Sequence, residues 1–402
     1  MRASTAFKRI LRFPDVQVSE VVVGDEEVVI KIRLKARRPR CGTCATPGAV
    51  YDHRHRRWRH LDALGHKVYL EADLARVTCK SCGGVRTQEV PFAEVGGRYT
   101  AAFASFVVWS VRVMDKSAAS RAWRISWSAV DGIVARAVDA PGPPQALRAI
   151  GVDERSWGRG KALTVVVDHD SGAVIWAAEG TTKDTFLAFF DWIGPEVAKG
   201  IRLVSMDMAR AYIAAVRARV PQARICFDPF HVVRIVNRAL DTMRRGLAQV
   251  IGVDRARRLR RVLLSSPRKL RPEEKDQLAA LAEQRRIVFD AWRLKEELAD
   301  LYRLVAPEAA RDYLDAWITK ARASRITVMV HAAGVLARHA EGIVAAVEEN
   351  LSNSRLEGFN NKIALINRRG YGHRNLEAFL KVIYLCCGGT AAPASPWEIA
   401  GA

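Results

Sequence analysis

Hydrophobic and polar positions first alternate along this chain and then recur at helical spacing. Between residues 55 and 79 the alternation predicts two strands that turn at Leu64-Gly65. Between residues 100 and 138 the apolar residues fall on one helical face, which predicts helices separated by a short turn at Ile125-Ser126, the second beginning near Trp127. This pattern is typical of a helix-turn-helix, although an ordinary helical hairpin requires the same periodicity.

A proline-rich break follows this helical segment. Pro141, Pro143 and Pro144 cannot continue a helix, so we place a domain boundary there. From Leu147 onward the pattern predicts a strand, a hairpin that turns between residues 169 and 172, a helix, a strand and a further helix. This order of elements is that of a ribonuclease-H-like α/β fold.

The segment from residue 232 to residue 350 is predicted to be almost entirely helical and is rich in Arg and Lys. It lies between two acidic motifs, so we interpret it as an insertion in the α/β core. Basic runs such as RARRLRR are either solvated helix faces or faces that bind a nucleic-acid backbone. The run itself does not distinguish these two possibilities.

The charge of the chain indicates a polyanionic partner. A net charge of +21 on 402 residues far exceeds what solubility requires. A basic ribosome-like or membrane-surface protein would share this charge, but a hydrophobic fraction of 49% indicates a large buried core and favours a nucleic-acid-binding protein. The best candidate for a membrane span, Ala101 to Val111, is too short, and the N-terminal residues lack an apolar signal core. We therefore expect a cytoplasmic protein without membrane contact.

Paired cysteines predict a structural zinc ion. Two CxxC motifs, Cys41/Cys44 and Cys79/Cys82, would present four thiolates to one Zn²⁺ from two tight turns, as a split zinc ribbon does. A redox pair, or knuckles that have lost their metal, remain alternatives. Four intervening histidines could replace a thiolate, but they lie among arginines, as positions that face nucleic acid do: His53, His55, His60 and His66.

Three acidic residues are candidates for a catalytic metal site. Asp153 and Asp207 fall in or directly after two predicted apolar strands, and Glu357 shares a helix face with Asn360 and Asn361 at i, i+3 and i+4 spacing. Together such acids can hold two Mg²⁺ ions against a phosphodiester. Two neighbouring acids are excluded, because strand alternation places Glu154 on the opposite face of the sheet and because Asp168 begins a turn.

Several motifs resemble those of one family. The zinc ribbon, the helix-turn-helix, a "DE" strand at Asp153, DMARAY at Asp207, DPFH at Asp228 and the run EGFNNKIALINRRGYGHRN resemble the insertion-sequence DDE transposases of the ISL-three group. The resemblance spans residues 41 to 379. One departure is Ala364, where the family pattern has Lys, and another is the C-terminal tail, which leaves open whether this copy is active.

The resemblance implies an enzyme that binds the terminal inverted repeats of an insertion sequence and catalyses metal-dependent strand cleavage and strand transfer. It implies two Mg²⁺ or Mn²⁺ ions held by Asp153, Asp207 and Glu357, with Asp228 and His231 as an accessory catalytic pair. Asp228 followed by Pro229 also fits a helix N-cap, and both roles are compatible. The implied partners are double-stranded DNA, at transposon ends and target, and further copies of the chain in a homodimer or higher oligomer, in association with the bacterial nucleoid.

Basic and aromatic residues complete the predicted DNA interface. In the helix-turn-helix these are Arg121, Arg124 and Trp127. After the Glu357 helix, the residues expected to grip DNA beside the cut are Arg368, Arg369, Tyr371 and Arg374, and Lys362 on the helix is a further expected DNA contact. On the same helix, Asn360 and Asn361 are expected to orient the metal-bound carboxylate or the flanking phosphate of the DNA. The structural alternative is that Tyr371 packs under the sheet and the arginines pair with surface acids.

The predicted fold is an α/β ribonuclease-H-like catalytic core with an all-helical insertion, preceded by a zinc-ribbon module and a helix-turn-helix module. The predicted domains are residues 1–95 (zinc ribbon), 96–140 (helix-turn-helix), 146–231 (first part of the core), 232–350 (insertion), 351–385 (final core helix) and 386–402 (tail). A zinc-dependent DNA-binding regulator would explain the ribbon and the charge, and a ribonuclease-H-like nuclease without strand transfer would explain the acids. These are the two alternative functions.

Overall fold

A computed structural model describes residues 3–11, 13, 15–35, 38–138, 142–373 and 375–389. The chain divides into two compact units, the first up to residue 139 and the second from residue 140 to residue 389. Arg374 and the predicted tail beyond residue 389 lie outside the described residues.

The first unit contains a mixed sheet. After α1 (Ala3–Leu11) come β1 (Val16–Val23), β2 (Glu27–Leu34), β3 (Ala49–Ala63), β4 (His66–Thr78) and β5 (Val85–Thr87). The strand order is β1-β2-β4-β3, with β5 also paired to β4. The predicted hairpin is confirmed, since Leu64 and Gly65 join β3 to β4 with positive φ angles of 50° and 86°. Trp58, Ile30 and Leu70 form the centre of its core.

Three helices complete the first unit: α2 (Ala101–Val113), α3 (Lys116–Trp123) and α4 (Trp127–Ala137). Side-chain caps set their starts, because Asp115 accepts hydrogen bonds from the backbone of α3 and Ser126 accepts one from the backbone of α4. Arg124 ends α3 in the left-handed conformation. The short turn predicted at Ile125-Ser126, and the helix predicted from Trp127, are both present.

The second unit contains a mixed sheet with helices between its later strands. Its elements are β6 (Ala149–Gly158), β7 (Lys161–Asp168), β8 (Ala173–Glu179), α5 (Lys183–Gly200), β9 (Leu203–Met206), α6 (Arg210–Arg219) and β10 (Arg224–Phe227). The strand order is β10-β9-β6-β7-β8, in which β6, β9 and β10 are parallel and β7 is antiparallel to both neighbours. The predicted order of strand, hairpin, helix, strand and helix is therefore observed. Gly194 and Pro195 kink α5.

Helices form the rest of the second unit. They are α7 (Pro229–Ile251), α8 (Val253–Leu264), α9 (Pro272–Gln284), α10 (Arg286–Asp300), α11 (Ala310–Ala323), α12 (Thr327–Arg338), α13 (Ala340–Glu348), α14 (Ser354–Arg369) and α15 (Leu376–Cys387). The predicted helical segment is thus helical, although its first helix begins earlier, at Pro229. Within the described part of the chain, a helix with the length and apolar character to cross a membrane is absent.

The two faces of strand β6 contact different parts of the second unit. Ile150 and Val152 pack into the main core with Phe186 and Tyr212. The alternate positions face α14: a Cβ atom on Gly151 would lie 2.8 Å from Leu356 of that helix. Glycine therefore lets α14 approach the strand closely, and it brings that helix next to Asp153.

Candidate functional site

Three aspartates lie side by side at one edge of the second sheet. In the parallel pairing of β6 with β9, Gly151 is opposite Ser205, and continuing this register places Asp153 beside Asp207. In the pairing of β9 with β10, Met206 is opposite Phe227, which places Asp207 beside Asp228. Adjacent strands lie about 4.8 Å apart. The register therefore brings carboxylates from three distant parts of the sequence into one row.

His231 lies among these acids on the first turn of α7. Its Nδ1 is 4.0 Å from Oδ2 of Asp207, and its Nε2 is 3.9 Å from Oδ2 of Asp228. Arg234 contacts the same ring through a 2.8 Å distance to Nδ1. Asp228 occupies the N-cap position before Pro229, but its side chain does not cap the helix. Its carboxylate is thus directed to other partners.

Helix α14 brings Glu357 and Asn360 to the same region. Nδ2 of Asn360 donates a 2.8 Å hydrogen bond to Oδ2 of Asp153, and the amide is buried. Glu357 lies one turn earlier on the helix and is exposed. Burial raises the pKa of Asp228, and the negative charge of Glu357 adds a smaller contribution in the same direction. Asn361, unlike Asn360, is exposed.

The surroundings of Asp153 and Asp228 disfavour the ionised forms of these two carboxylates. Burial raises the pKa of Asp153, and the charges of Asp207 and Asp228 raise it further, against the backbone N–H of Glu154 and the charge of His231. Burial likewise raises the pKa of Asp228. Both ionised forms are therefore disfavoured by the fold alone. A bound cation would relieve this cost, because it supplies the missing counter-charge.

Asn353 is a buried residue that sequence reasoning missed, and it contacts the row of aspartates. Asn353 sits just before α14, where its Oδ1 accepts a hydrogen bond from Ser205 and its Nδ2 donates one to the carbonyl of Val152 (3.2 Å). Its backbone N–H donates to Asp228 (3.3 Å), and Nε2 of His169 lies 2.7 Å from the Ser205 hydroxyl. Asn353 occupies the N-cap position of α14, but its side chain makes no capping hydrogen bond. The residues that Asn353 contacts lie on β6 (Val152), on β9 (Ser205) and directly after β10 (Asp228). They are far from Asn353 in the sequence, so no local sequence pattern predicts these contacts.

The donor set of the acids fits hard divalent cations. Mg²⁺ and Mn²⁺ prefer carboxylate oxygens, and Asp153, Asp207 and Glu357 supply them. Within the described residues, the only group of three or more candidate ligands whose atoms all lie within 4.8 Å of one another is the cysteine cluster. The carboxylates are thus more widely spaced. A pair of ions about 3.5–4 Å apart requires ligands on both of its sides, so wide spacing is compatible with it.

The four CxxC cysteines converge in the first unit. The Sγ atoms of Cys41 and Cys82 are 4.0 Å apart, and those of Cys44 and Cys79 are 3.5 Å apart. Tetrahedral zinc with Zn–S bonds of about 2.3 Å places its sulfurs roughly 3.8 Å apart, between these values. Backbone N–H groups of Thr43 and Cys82 donate to the sulfurs of Cys41 and Cys79.

Three of the four intervening histidines are engaged elsewhere. His55 contacts Asp73, His60 contacts the Thr100 hydroxyl, and His66 contacts the carbonyl of Leu64. Hydrogen bonding to Thr46 lowers the pKa of the Cys44 thiol to about 6, whereas the hydrogen bond with Cys44 raises the pKa of the Cys82 thiol to about 12. Among the described residues, the four cysteines are the one group of candidate ligands whose atoms are close enough together to hold a zinc ion.

The predicted helix-turn-helix residues occupy different positions around its turn. Arg121 is exposed on α3, and Trp127 is 48% exposed at the start of α4. Arg124 forms an ion pair with Asp62 of β3. Lys116 and Asp131 link α3 to α4 through a 2.5 Å ion pair. Part of the Trp127 side chain is therefore accessible to solvent at the start of α4.

The residues predicted to grip DNA after Glu357 are not all placed alike. Tyr371 is 98% exposed, so it does not pack under the sheet. Arg368 is exposed near the end of α14, and Arg369 is partly buried. Lys362 donates a hydrogen bond to the carbonyl of Cys386, so in this structure its ammonium group joins α14 to α15. Arg374 lies outside the described residues.

Comparison with known proteins gives a consistent result along the chain. A profile described as the zinc-finger of transposase IS204/IS1001/IS1096/IS1165 matches residues 37–82. One described as the helix-turn-helix domain of transposase family ISL3 matches residues 88–138, which favours this motif over an ordinary helical hairpin. The ISL3 transposase profile matches residues 150–383.

Full-length relatives are similar over most of the chain. The transposase for insertion sequence element IS1557 of Mycobacterium tuberculosis is 36% identical over an alignment 411 residues long, gaps included. This alignment covers 93% of this chain and 92% of that protein. The transposase for insertion sequence element IS1001 of Bordetella parapertussis is 30% identical over 352 residues, which cover 85% of this chain and 87% of that protein. With the order of its domains, this similarity shows that the chain is an enzyme of the ISL3 family of insertion-sequence transposases.

Proposed function

We propose that this transposase binds the terminal inverted repeats of its own element and, with two Mg²⁺ or Mn²⁺ ions, cleaves DNA strands at the element ends and transfers them to target DNA. The observation that carries this proposal is the row of Asp153, Asp207 and Asp228 across three parallel strands, with the Glu357 helix tied to it through Asn360. Acids at such an edge suit metal-assisted phosphoryl transfer.

We also propose that the second unit has a ribonuclease-H-like fold. The β10-β9-β6-β7-β8 order, with an antiparallel meander followed by two parallel strands, supports this assignment. The proposed core comprises residues 146–231 and 351–385, interrupted by the helical insertion at 232–350 and preceded by the zinc ribbon (1–95) and the helix-turn-helix (96–140). The predicted tail began at residue 386, but α15 continues through Cys387, so the proposed core extends to the end of this helix.

The proposed metal ligands are Asp153, Asp207 and Glu357. When bound, the ions would activate water or a 3′-hydroxyl and stabilise the leaving oxygen. The amide of Asn360 donates to Oδ2 of Asp153 and the backbone N–H of Glu154 donates to Oδ1 (2.8 Å), so the carboxylate is held in place, and each oxygen keeps a further lone pair that a cation could use. The ring of His231 lies 4.0 Å from Asp207 and 3.9 Å from Asp228, which supports an accessory role for this pair: His231 would contact the scissile phosphate, or Asp228 would steer the metal.

The remaining residues of the proposal concern DNA. Exposed Arg121 and Trp127 flank the turn before α4 and would contact the terminal repeat together with Arg124. Near the cut, Arg368 and Tyr371 are exposed at the end of α14 and would hold the flanking strand. Further members of this proposed contact set are Asn360, Asn361, Lys362, Arg369 and Arg374. The active assembly would be a homodimer or higher oligomer on DNA, at the bacterial nucleoid.

Cleavage of an end duplex tests the catalytic part of this proposal. The purified chain should cleave and join a duplex carrying its element's end only when Mg²⁺ or Mn²⁺ is added. Asp153→Asn, Asp207→Asn and Glu357→Gln should each abolish both steps while leaving DNA binding intact, because each removes a metal ligand. Glu154→Gln is the matched control, since strand alternation places this neighbour of Asp153 on the other face, and it should retain activity.

Different outcomes would overturn different parts of the proposal. Cleavage retained by one of the three variants removes that residue from the ligand set. Cleavage without joining would indicate a nuclease that lacks strand transfer. End binding without any cleavage in either metal would leave only the DNA-binding role of a regulator.

A further inference from the structure

A groove in the first unit is lined almost entirely by basic and aromatic side chains. It has a volume of about 520 Å³ and lies between β3, the segment before α2 and the turn before α4. Arginines and tyrosines account for eight of its eleven lining residues, and none of the eleven is acidic: Arg54, His55, Arg56, Arg57, Arg59, Tyr69, Gly96, Arg98, Tyr99, Arg124 and Ile125.

Only some of these arginines are neutralised within the unit. Arg59 and Arg124 share Asp62, and Arg57 contacts Glu27 at 2.7 Å. By contrast, Arg54 and Arg98 are exposed, and their side chains make neither an ion pair nor a hydrogen bond within the described part of the chain. The groove therefore retains uncompensated positive charge at two positions.

The walls of the groove are held in place by aromatic rings and backbone contacts. The guanidinium of Arg57 lies 3.8 Å from the ring centroid of Tyr69. That of Arg59 is buried 5.0 Å from the ring centroid of Phe103. Arg56 donates a 3.2 Å hydrogen bond to the carbonyl of Gly97. Stacked arginines lose less conformational freedom when they bind an anion, so the groove is partly preorganised.

The groove is continuous with the start of α4, the helix that follows the turn of the helix-turn-helix. Arg124 and Ile125 line its wall and lead directly to the start of α4, where Trp127 is half exposed. Gly96, which also lines the groove, has a φ of 76°, and a Cβ atom there would meet no atom within 4 Å. The backbone at this point is therefore accessible to a ligand. A duplex that contacts the start of α4 would present its sugar-phosphate backbone to this wall.

We propose that this groove binds the phosphate backbone of the same DNA duplex whose bases are contacted from the helix-turn-helix. This inference rests on the proposed end-binding function and extends it to β3, where the basic residues lie. Arginine forks match phosphate oxygens, and such contacts position a protein on DNA without reading sequence. The groove residues therefore contribute affinity, while α4 contributes the choice of sequence.

The test measures how the dissociation constant depends on salt. Full-length chain with Arg54→Ala and Arg98→Ala is titrated against a duplex of its element's end and an unrelated duplex of equal length, across a series of KCl concentrations without divalent metal. Each phosphate contact contributes about 0.9 to the slope of log K against log salt, so the slope should become less negative by roughly 2. Both duplexes should lose affinity by a similar factor, and the preference for the end should persist.

Two further variants serve as controls. Arg33→Ala with Arg86→Ala removes the same charge from exposed positions of the same unit outside the groove lining, and should leave the slope unchanged. Arg54→Lys with Arg98→Lys keeps both charges and should retain most of the slope. Melting temperature and zinc content should match those of the unmodified chain, because neither native side chain supports the fold.

The results separate this inference from the proposed function. If the unmodified chain does not prefer or cleave its end duplex, the proposed function fails. If it does both, but the alanine variant keeps the original slope or the outside control loses as much, the groove does not bind the backbone. A selective loss of preference for the end duplex would also overturn the inference, because it would indicate base reading instead.

Discussion

At the scale of single residues, Asn353 shows how one buried amide can organise a catalytic region. Its side chain and backbone contact Ser205, Val152 and Asp228, which belong to or follow three neighbouring strands. Helix α14 begins at the next residue. Asn353 therefore fixes the start of the helix that carries Glu357 relative to the aspartate row.

Replacing this amide should disrupt both stability and catalysis. Asn353→Ala removes two buried side-chain hydrogen bonds, with Ser205 and with the carbonyl of Val152, which should lower the free energy of unfolding by about 3 kcal/mol. Urea unfolding measures this loss, and cleavage of the end duplex should fall even in the folded fraction. Asn361→Ala, on the exposed face of the same helix, should leave unfolding unchanged. Equal stability of the two variants would contradict the organising role.

The pKa of His60 predicts a pH-dependent stability. The imidazole packs 5.8 Å from the ring of Phe13, and burial, with the charge of Arg59, lowers its pKa from 6.5 to about 4. As pH falls, the unfolded chain therefore takes up this proton before the folded chain does. The stabilising preference for neutral imidazole is complete above about pH 6.5 and is lost between there and about pH 4.

His60→Gln should flatten this part of the stability curve. At 1.4 kcal/mol per pKa unit the effect is at most about 3 kcal/mol, and solvent screening of a partly buried ring reduces it. Urea unfolding across this pH range measures it, with the exposed His53→Gln as the control. If the free energy of unfolding of His60→Gln depends on pH as that of the unmodified chain does, groups other than His60 cause this dependence.

At the scale of elements, the helix-turn-helix depends on local caps. Asp115 accepts two 2.9 Å hydrogen bonds from the first backbone N–H groups of α3, and Ser126 accepts one of 3.2 Å from α4. These residues directly precede the helices in sequence. The starts of these helices could therefore be predicted, whereas the packing of α3 against α4 through Lys116 and Asp131 could not.

The cap of α3 can be tested by substitution. Asp115→Ala should destabilise the first unit by about 1 kcal/mol, because two donors at the helix start lose their acceptor. Asp115→Ser keeps a capping oxygen and should restore most of the stability. Thermal unfolding followed by circular dichroism measures both variants. Destabilisation by the serine variant equal to that of alanine would show that the cap is not the cause.

At the scale of the whole molecule, the zinc ribbon joins turns that are distant in the sequence. Its cysteines come from two CxxC turns separated by the β3–β4 hairpin, and their sulfurs meet within 4.8 Å. A zinc ion can bind the converged thiolates of the folded chain but not the separated ones of the unfolded chain, so its binding free energy adds to the free energy of folding. Zinc should therefore contribute to the stability of the first unit as a whole.

Metal removal measures that contribution. Purified chain should contain about one zinc ion, and strong chelation should release it and lower the melting temperature. Cys82→Ser should lose the ion, whereas Cys226→Ala, whose thiol lies outside the cluster, should keep it. Zinc retained by the serine variant would remove Cys82 from the ligand set.

The sequence by itself determined the local features of this protein. Alternation predicted the β3–β4 hairpin, helical spacing predicted the turn before Trp127, and the CxxC motifs predicted the cysteine cluster, because strand pleat, helix periodicity and tight turns are short-range properties. The family resemblance added the ISL3 assignment, which the comparisons confirmed. The catalytic roles of Asp153, Asp207 and Glu357 remain predictions.

Tertiary structure alone decided which distant groups meet. The alignment of Asp228 with Asp153 and Asp207 depends on the register of parallel strands, which pairing across the sheet fixes and no local pattern encodes. The partners of Asn353, the contact of Lys362 with Cys386 and the groove formed by β3 with the turn before α4 likewise arise from packing. Such contacts form only when the chain has folded, because the residues involved are far apart in the sequence.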